Sequence, residues 1–153
     1  MIANAKRLDV QIRWLIRSDL PKVLRIEREC YDIPWTEEVL LESLKPRARI
    51  GMVAEIGQQI VGYMIYELHD LHINILNFAV SPILWRKKIG TQLITRLIDK
   101  LSQQRRKCLY MQVQESNLGA QLFLKKMKFR AVKILRNFYD EVNEDAYLMR
   151  YSL

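Results

Sequence analysis

An α/β fold, a mixed β-sheet with helices on both of its faces, is predicted by three features of the sequence. Segments with apolar residues at every second position alternate with segments striped at helical spacing. A nearly continuous apolar run, Ile73 to Val80, reads as a central strand covered on both sides. That run leads through a Pro-bearing turn and a basic loop straight into an apolar-striped helix. The chain has 153 residues, half of them hydrophobic, which suits one domain spanning 1–153 with a core that needs no covalent staple.

The elements follow in order. Val10, Ile12, Trp14 and Ile16 alternate with Gln11, Arg13, Leu15 and Arg17 in a half-buried first strand. Ser18 or Asp19 offers an N-cap, and Pro21 in the first turn with Leu20, Val23, Leu24, Glu27 and Tyr31 on one face predicts a helix over about Asp19 to Cys30. The turn Asp32 to Trp35 stops it, and Thr36 followed by Glu37 and Glu38 caps a shorter helix carrying Val39, Leu40 and Leu44. Ile50 to Ile56 and Ile60 to Leu68 flank Gly57, Gln58 and Gln59 as a hairpin, and the central strand Ile73 to Val80 follows. Ile89, Leu93, Leu97, Ile98 and Leu101 repeat at helical spacing until the polar run Ser102 to Lys107. Leu109, Met111 and Val113 mark the next strand, and Ser116 or Asn117 caps a helix bearing Leu122, Phe123 and Met127. Two last strands, about Ala131 to Phe138 and Ala146 to Tyr151, flank the polar loop Tyr139 to Asp145.

Composition narrows the function. Only Cys30 and Cys108 are present, with no metal-ligand spacing, so neither a disulfide framework nor a metal site is expected and a cytoplasmic setting is the default. The basic pair Lys6 and Arg7 precedes an apolar run broken by Gln11 and Arg13, which is neither a signal peptide nor a membrane span. A net charge of +8 and a pI near 9.6 predict attraction to phosphates, nucleic acid or an acidic partner. No base-stacking or helix-turn-helix signature accompanies that charge, so specific nucleic-acid binding ranks last. The sharpest local signal is the loop Arg86, Lys87, Lys88 ahead of Ile89, Gly90 and Thr91, where cations meet the free N–H groups and positive dipole end of a helix; this is an anion site suited to phosphate.

The strings IERECYDIPWTEE, LNFAVSP, IGTQLI, VQESN, RNFY and EDAYLM, each on its proper element over nearly the whole chain, make it resemble the GCN5-related N-acetyltransferase family, and within it the ribosomal-protein-alanine and protein N-terminal acetyltransferases. The resemblance implies an acyl-CoA N-acyltransferase fold whose sheet is splayed between strands 4 and 5. It also implies acetyl transfer from acetyl-CoA to an amine, most often a protein N-terminus, with a ribosomal protein as one partner and no membrane. It sets no oligomeric state. The edge Phe78, Ala79 and Val80 would bond the pantetheine arm, Arg86, Lys87, Lys88, Ile89, Gly90 and Thr91 would seat the diphosphate, and Asn117 would contact the cofactor or serve only as a cap. Tyr31, Ile33 and Pro34 would face Phe138 and Tyr139 across the acceptor peptide.

The chain departs from the family pattern at chemically weighty positions. Trp85 and Lys88 stand where the diphosphate loop usually has Gln or Arg and the first glycine; the Lys88 ammonium either reaches a phosphate or turns to solvent. Gln112 replaces the Glu that serves as candidate base, Leu124 the Tyr that protonates the leaving thiolate, and Lys128 the glycine of a Gly-Phe pair. His72, where relatives often have Glu, is the substitute base favoured on pKa grounds, with Glu29, Tyr31 and Tyr139 as others. Two functions stay open: a transferase driven by positioning, or a module that keeps the fold and CoA binding without efficient catalysis.

Overall fold

The computed structural model describes residues 7–153, so Lys6 of the N-terminal basic pair lies outside the described residues. Along the chain run β1 (Gln11–Trp14), α1 (Leu20–Cys30), α2 (Glu37–Ser43), β2 (Arg49–Ile56), β3 (Gln59–Leu68), β4 (His72–Val80), α3 (Ile89–Gln103), β5 (Cys108–Gln114), α4 (Leu118–Lys126), β6 (Arg130–Tyr139) and β7 (Glu144–Ser152). The strands form one seven-stranded sheet in the order β1-β2-β3-β4-β5-β7-β6. Every neighbouring pair is antiparallel except β4 and β5, which run parallel, as a connection through a crossover helix, α3, requires.

Two apolar clusters cover the sheet. On one side α3 supplies Ile89, Leu93, Leu97 and Leu101 against Ile73, Ile75, Leu109 and Met111, with Leu124 of α4 and Phe129. On the other, Leu20, Val23 and Leu24 of α1 and Leu40 of α2 pack on Val53, Tyr63, Ile65 and Ala79. This second cluster takes no residue from β5, β6 or β7, so among the described residues no helix packs on that part of the sheet on the α1 side.

Three local expectations give way to the packing. Trp14 is 74 % exposed and Ile16 is exposed too, because β1 is a four-residue edge strand and only Val10 and Ile12 of the alternating set pack against the core. Asp19 does not cap α1: its own backbone is already helical. Its carboxylate instead accepts Ile16 N–H at 2.9 Å and both terminal nitrogens of Arg13 at 2.8 and 3.0 Å. On α4, Leu122 is exposed while Leu124 is buried, the core face running through Ala120, Phe123, Leu124 and Met127. Thr36 caps α2 by accepting Val39 N–H, as read from the sequence.

Both long crossover elements end alike. After α4, Phe129 N–H reaches Leu124 O (2.9 Å) and Lys128 N–H reaches Lys125 O (3.0 Å), with Lys128 left-handed at φ +73°. This is the Schellman closure that glycine ordinarily serves. After α3, Arg106 N–H closes on Leu101 O with Arg105 left-handed.

Candidate active site

The gap in the sheet begins in the middle of β4. His72 to Ile75 pair with Cys108 to Met111, and there the parallel ladder stops. β4 continues to Val80, still paired with β3, while β5 continues to Gln114, still paired with β7. Asn77 is opposite Ile65 and Ile75 opposite Tyr66, so Leu76 is an extra residue, a β-bulge at the point of parting. Leu76 and Gln112 are thus the first residues past the last pair, at the apex, and Gln112 is exposed.

Ser81 N–H bonds to Val61 O, so by the alternation of an antiparallel ladder Phe78 and Val80 turn their polar groups away from β3 and into the gap. The chain's own side chains hold several of them. Tyr31 hydroxyl donates to Phe78 O, Phe78 N–H donates to Asn77 Oδ1 (2.9 Å), and Val80 O accepts from Trp85 Nε1 (2.7 Å) and Cys30 Sγ (3.2 Å). An amide-rich arm entering as a surrogate strand finds matching donors and acceptors here, each met only by a replaceable side chain. Sequence reasoning did not foresee that Trp85 would occupy this edge.

At the end of β4 the chain enters the basic loop. The first α-helical bond of α3 runs from Gln92 N–H to Lys88 O (3.1 Å), leaving the N–H groups of Ile89, Gly90 and Thr91 without intrahelical acceptors. Lys88 precedes them at φ +67°, ψ +19°, and Arg86 also has φ +67°. The loop therefore keeps a left-handed conformation at the position where the family has glycine, with lysine bearing the strain. Leu8 N–H donates to Lys87 O (3.0 Å), and Gln92 ties Leu8 O and Val10 N–H to the same turn. Phe78 and Phe123 stack at 5.8 Å beside Gly90, where an added Cβ would lie 3.2 Å from the Phe123 ring. Helix N-terminus, cations and open edge together fit the diphosphate and arm of a CoA thioester. Asn117 caps α4, its Oδ1 accepting Ala120 N–H at 3.1 Å.

The acceptor side is built on a buried polar cluster. Glu27, 3 % exposed on α1, accepts Asn77 Nδ2 with both oxygens (2.8 and 2.9 Å), the Tyr63 hydroxyl, and Trp35 N–H at 3.3 Å. The cluster fixes the turn containing Tyr31, Ile33 and Pro34 against β4. Burial, then the charge of Glu27, pushes the Tyr31 hydroxyl pKa well up. Tyr139 is half-buried, its hydroxyl pKa raised by burial and then by Glu144, and its ring meets Phe138 edge to face at 5.1 Å. Asp145 accepts Asn137 N–H (2.7 Å) and Arg136 Nη1 (3.0 Å), pinning that loop. The sign of the Glu27–Asn77 pair in the sequence was a polar residue inside each of two apolar stripes.

His72 stands elsewhere. It is at the closed end of the β4–β5 ladder, opposite Cys108, four residues or about 13 Å along the strand from Leu76. It stacks on His69 at 4.5 Å and meets Tyr110 edge-on at 5.3 Å, and burial, then His69, lowers its pKa. The geometry does not bring it to the apex with Gln112. Leu124, at 1 % exposure, is a core residue. No helix among the described residues is long and apolar enough to cross a membrane, and no cluster of metal-ligating side chains occurs among them.

Comparison with known proteins agrees with this geometry. The model of the acetyltransferase (GNAT) family matches residues 20–129. An N-alpha-acetyltransferase of Sulfolobus acidocaldarius is 27 % identical over 98 % of this chain and 96 % of its own length. The [ribosomal protein bS18]-alanine N-acetyltransferase of Escherichia coli K12 is 27 % identical over 90 % of this chain and 94 % of its own. The crystal structure of the ribosomal-protein-S18-alanine N-acetyltransferase from Escherichia coli superposes with a TM-score of 0.83 at 25 % identity, covering 94 % of each chain. With a splayed β4–β5 gap, a helix N-terminus at its mouth and a family match over most of its length, the chain belongs to the acetyltransferase (GNAT) family and is an N-acetyltransferase with acetyl-CoA as acetyl donor.

Proposed function

We propose that the acceptor is the α-amino group of a protein N-terminus, a ribosomal protein among the candidates, met in the cytoplasm. The observation that carries the reading is the parting of β4 from β5 past Ile75 and Met111, between a cationic helix start on one side and an aromatic-lined turn on the other. The names of the two relatives support the acceptor class, and two free cysteines suit a reducing compartment.

Acetyl-CoA supplies a thioester, whose C–S bond breaks as the acceptor nitrogen forms a bond to the carbonyl carbon and the amine's proton is lost. The N–H groups of Ile89, Gly90 and Thr91, with Arg86, Lys87 and Lys88, hold the diphosphate. Phe78 and Val80 would receive the arm once Trp85 and Tyr31 yield their bonds, whereas Ala79, expected to share that role, turns its polar groups to Tyr63 on β3 and its side chain into the core. Tyr31, Ile33 and Pro34 face Phe138 and Tyr139 across the peptide, and the Tyr139 hydroxyl, kept protonated at neutral pH, donates to a peptide carbonyl. Gln112 at the apex orients the amine by accepting its N–H but does not take its proton. The amine's proton passes to solvent at the open mouth of the gap and CoA leaves as the thiolate, because His72 stands at the closed end of the ladder, out of reach of the reacting amine. Positioning carries most of the rate, and loss of a direct base lowers turnover by roughly 10²- to 10⁴-fold against a carboxylate-equipped relative.

A thiol-release assay with acetyl-CoA and a library of N-terminal peptides tests the proposal, mass spectrometry locating the acetyl group. Acetylation at the α-amine is the expected result. Acetylation confined to lysine side chains or to small amines would overturn it.

A further inference from the structure

The acetyl-transfer site uses only part of the chain's positive charge. Arg86, Lys87 and Lys88 serve the cofactor, but two further cationic runs, 105–107 and 125–130, have no part in it. The fold brings both to the closed end of the β4–β5 ladder. Lys107 N–H donates to Leu71 O (2.8 Å), Leu153 N–H donates to Lys107 O (3.1 Å) and Arg106 Nε donates to His69 O (2.6 Å), so the α3–β5 turn meets the β3–β4 turn and the end of β7. Arg130 opens β6 directly opposite Arg150, with Lys125, Lys126 and Lys128 in the closure of α4 just before it.

This charge is left unneutralised. None of these cations makes a salt bridge with a described residue, and Asp70 is the sole side-chain carboxylate on segments 69–72, 104–108, 125–133 and 149–152. Although α3 and α4 both end here, a helix C-terminus is worth only about half a negative charge. Arg150 and Arg130 are like charges directly across a strand pair, an arrangement that is locally destabilising. Arg150 Nε is buried with no hydrogen-bond partner among the described residues, a costly state for a guanidinium. Stability gives no reason for such a concentration of cations; an anionic partner does.

Aromatic rings adjoin the cations. Leu109 and Met111 face α3, so Tyr110 between them turns to the α1 side, where no described helix packs over β5, β7 or β6. Tyr110 is directly opposite Arg150 and meets His72 edge-on at 5.3 Å, and His72 stacks on His69 at 4.5 Å, all three rings half-buried. Cations at the strand spacing of about 5 Å, beside aromatic rings on an open sheet, match the phosphates and bases of a single strand. An acidic protein segment would meet the charge and leave the rings unused. Rings and cations come from separate segments, so no sequence motif announces them.

We infer that the closed end of the sheet binds single-stranded nucleic acid through its backbone, without reading its sequence, on a surface separate from the acetyl-transfer site. The diphosphate loop lies beyond Val80, eight residues or about 26 Å along β4 from His72. Strand and acetyl-CoA are therefore held together.

The test is fluorescence anisotropy with a fluorescein-labelled uridine homopolymer of about fifteen nucleotides, with and without saturating acetyl-CoA. At low salt the wild type is expected to bind with Kd on the order of 10 μM or tighter, log Kd rising with log salt at a slope of about three, for about four phosphates neutralised. Lys125→Gln with Lys126→Gln, and Arg105→Gln with Lys107→Gln, should each weaken binding about tenfold and lower the slope by about one. Tyr110→Leu should weaken it about fivefold with the slope unchanged. Acetyl-CoA affinity by isothermal titration should stay at the wild-type value throughout; if Tyr110→Leu loses it through misfolding, the two exposed double variants decide. Displacement of the strand by acetyl-CoA would place it on Arg86 to Lys88 and overturn the inference. So would a polyglutamate peptide of equal length that binds as tightly, or a Kd unmoved by both double variants.

Discussion

Two lysines stand in the left-handed region where the family keeps glycines, Lys88 before α3 and Lys128 after α4, at φ +67° and +73°. The left-handed conformation costs an L-residue roughly 1–2 kcal/mol, and the greater freedom of glycine in the unfolded chain takes back about 0.5–1 kcal/mol. Lys88→Gly and Lys128→Gly are each expected to stabilise the fold by about 0.5–1 kcal/mol, which at this chain length raises Tm by ~1–4 °C. Both ammonium groups are on exposed residues, so no lost ion pair confounds the comparison. The two variants part on the cofactor. Lys128 closes a Schellman turn at the end of α4, whereas Lys88 precedes the free N–H groups of the anion site. Acetyl-CoA affinity, by isothermal titration, should therefore be unchanged in Lys128→Gly and fall about fivefold at low salt in Lys88→Gly, one phosphate contact of about 1 kcal/mol being lost. Lys88→Ala keeps the strain while losing the charge, and separates the two effects: unchanged Tm with weakened binding. Scanning fluorimetry that found neither glycine variant more stable would refute the strain argument, and undiminished affinity in Lys88→Gly would remove the ammonium from the diphosphate site.

Further substitutions test other parts of the molecule. Arg13, then Ile16 N–H, holds the Asp19 carboxyl below its usual value against the opposing effect of burial; its stabilisation is complete above the ordinary carboxylate pKa of about 3.9 and drains as pH falls through the lower folded value. Urea unfolding should thus show wild type losing stability below about pH 4, with Asp19→Asn about 3 kcal/mol weaker at neutral pH and flatter in acid. Trp85→Phe removes the indole N–H from Val80 O and should tighten acetyl-CoA about fivefold, the value of one hydrogen bond; weaker binding would mean that the indole supports the cofactor instead of competing with it. Gln112→Glu places a carboxylate at the apex and should raise kcat on the order of 10²-fold with a new acidic limb in the pH profile, while an unchanged rate would move the reacting amine away from Gln112.

What the sequence disclosed was the part governed by local periodicity. The alternation at Leu109, Met111 and Val113, the helical stripe from Ile89 to Leu101 and the Thr36 cap all describe short-range preferences, and the structure reproduces them. Cations beside Ile89, Gly90 and Thr91 were legible for the same reason, since a helix N-terminus is a local object. The burial of Trp14 was misread because alternation marks a face but not whether anything covers it. Glu27, Asn77 and Tyr63 meet only through contacts 36 and 50 residues apart, so a polar residue in each of two apolar stripes is visible locally but their pairing is not, and the opposition of Arg150 to Arg130 depends on register across β7 and β6. His72 was chosen by its chemistry alone, and its place at the closed end of the ladder is set by where β4 and β5 cease to pair.

That point of parting has a physical cause in one residue and its support. Leu76 is extra in β4 relative to β3, and a bulge sharpens the local twist and bends the strand that carries it. β5 has no bulge against β7 and stays in register from Cys108 to Gln114, so bending one strand beside a straight one separates them. A bend inside a core is hard to hold with apolar contacts alone, since these are non-directional. Asn77, next after the bulge, holds it with directed bonds: its amide nitrogen donates to Glu27, and its oxygen accepts Phe78 N–H. The same carboxylate accepts the Tyr63 hydroxyl on β3 and Trp35 N–H beyond α1. Bend, edge and acceptor turn are consequently referred to one buried group, and the cost of burying that group is offset by hydrogen bonds to both oxygens. The polar cluster beneath the site therefore sets the width of the gap, while Trp85, Lys88 and Gln112, the positions at which this chain departs from the family pattern, line it.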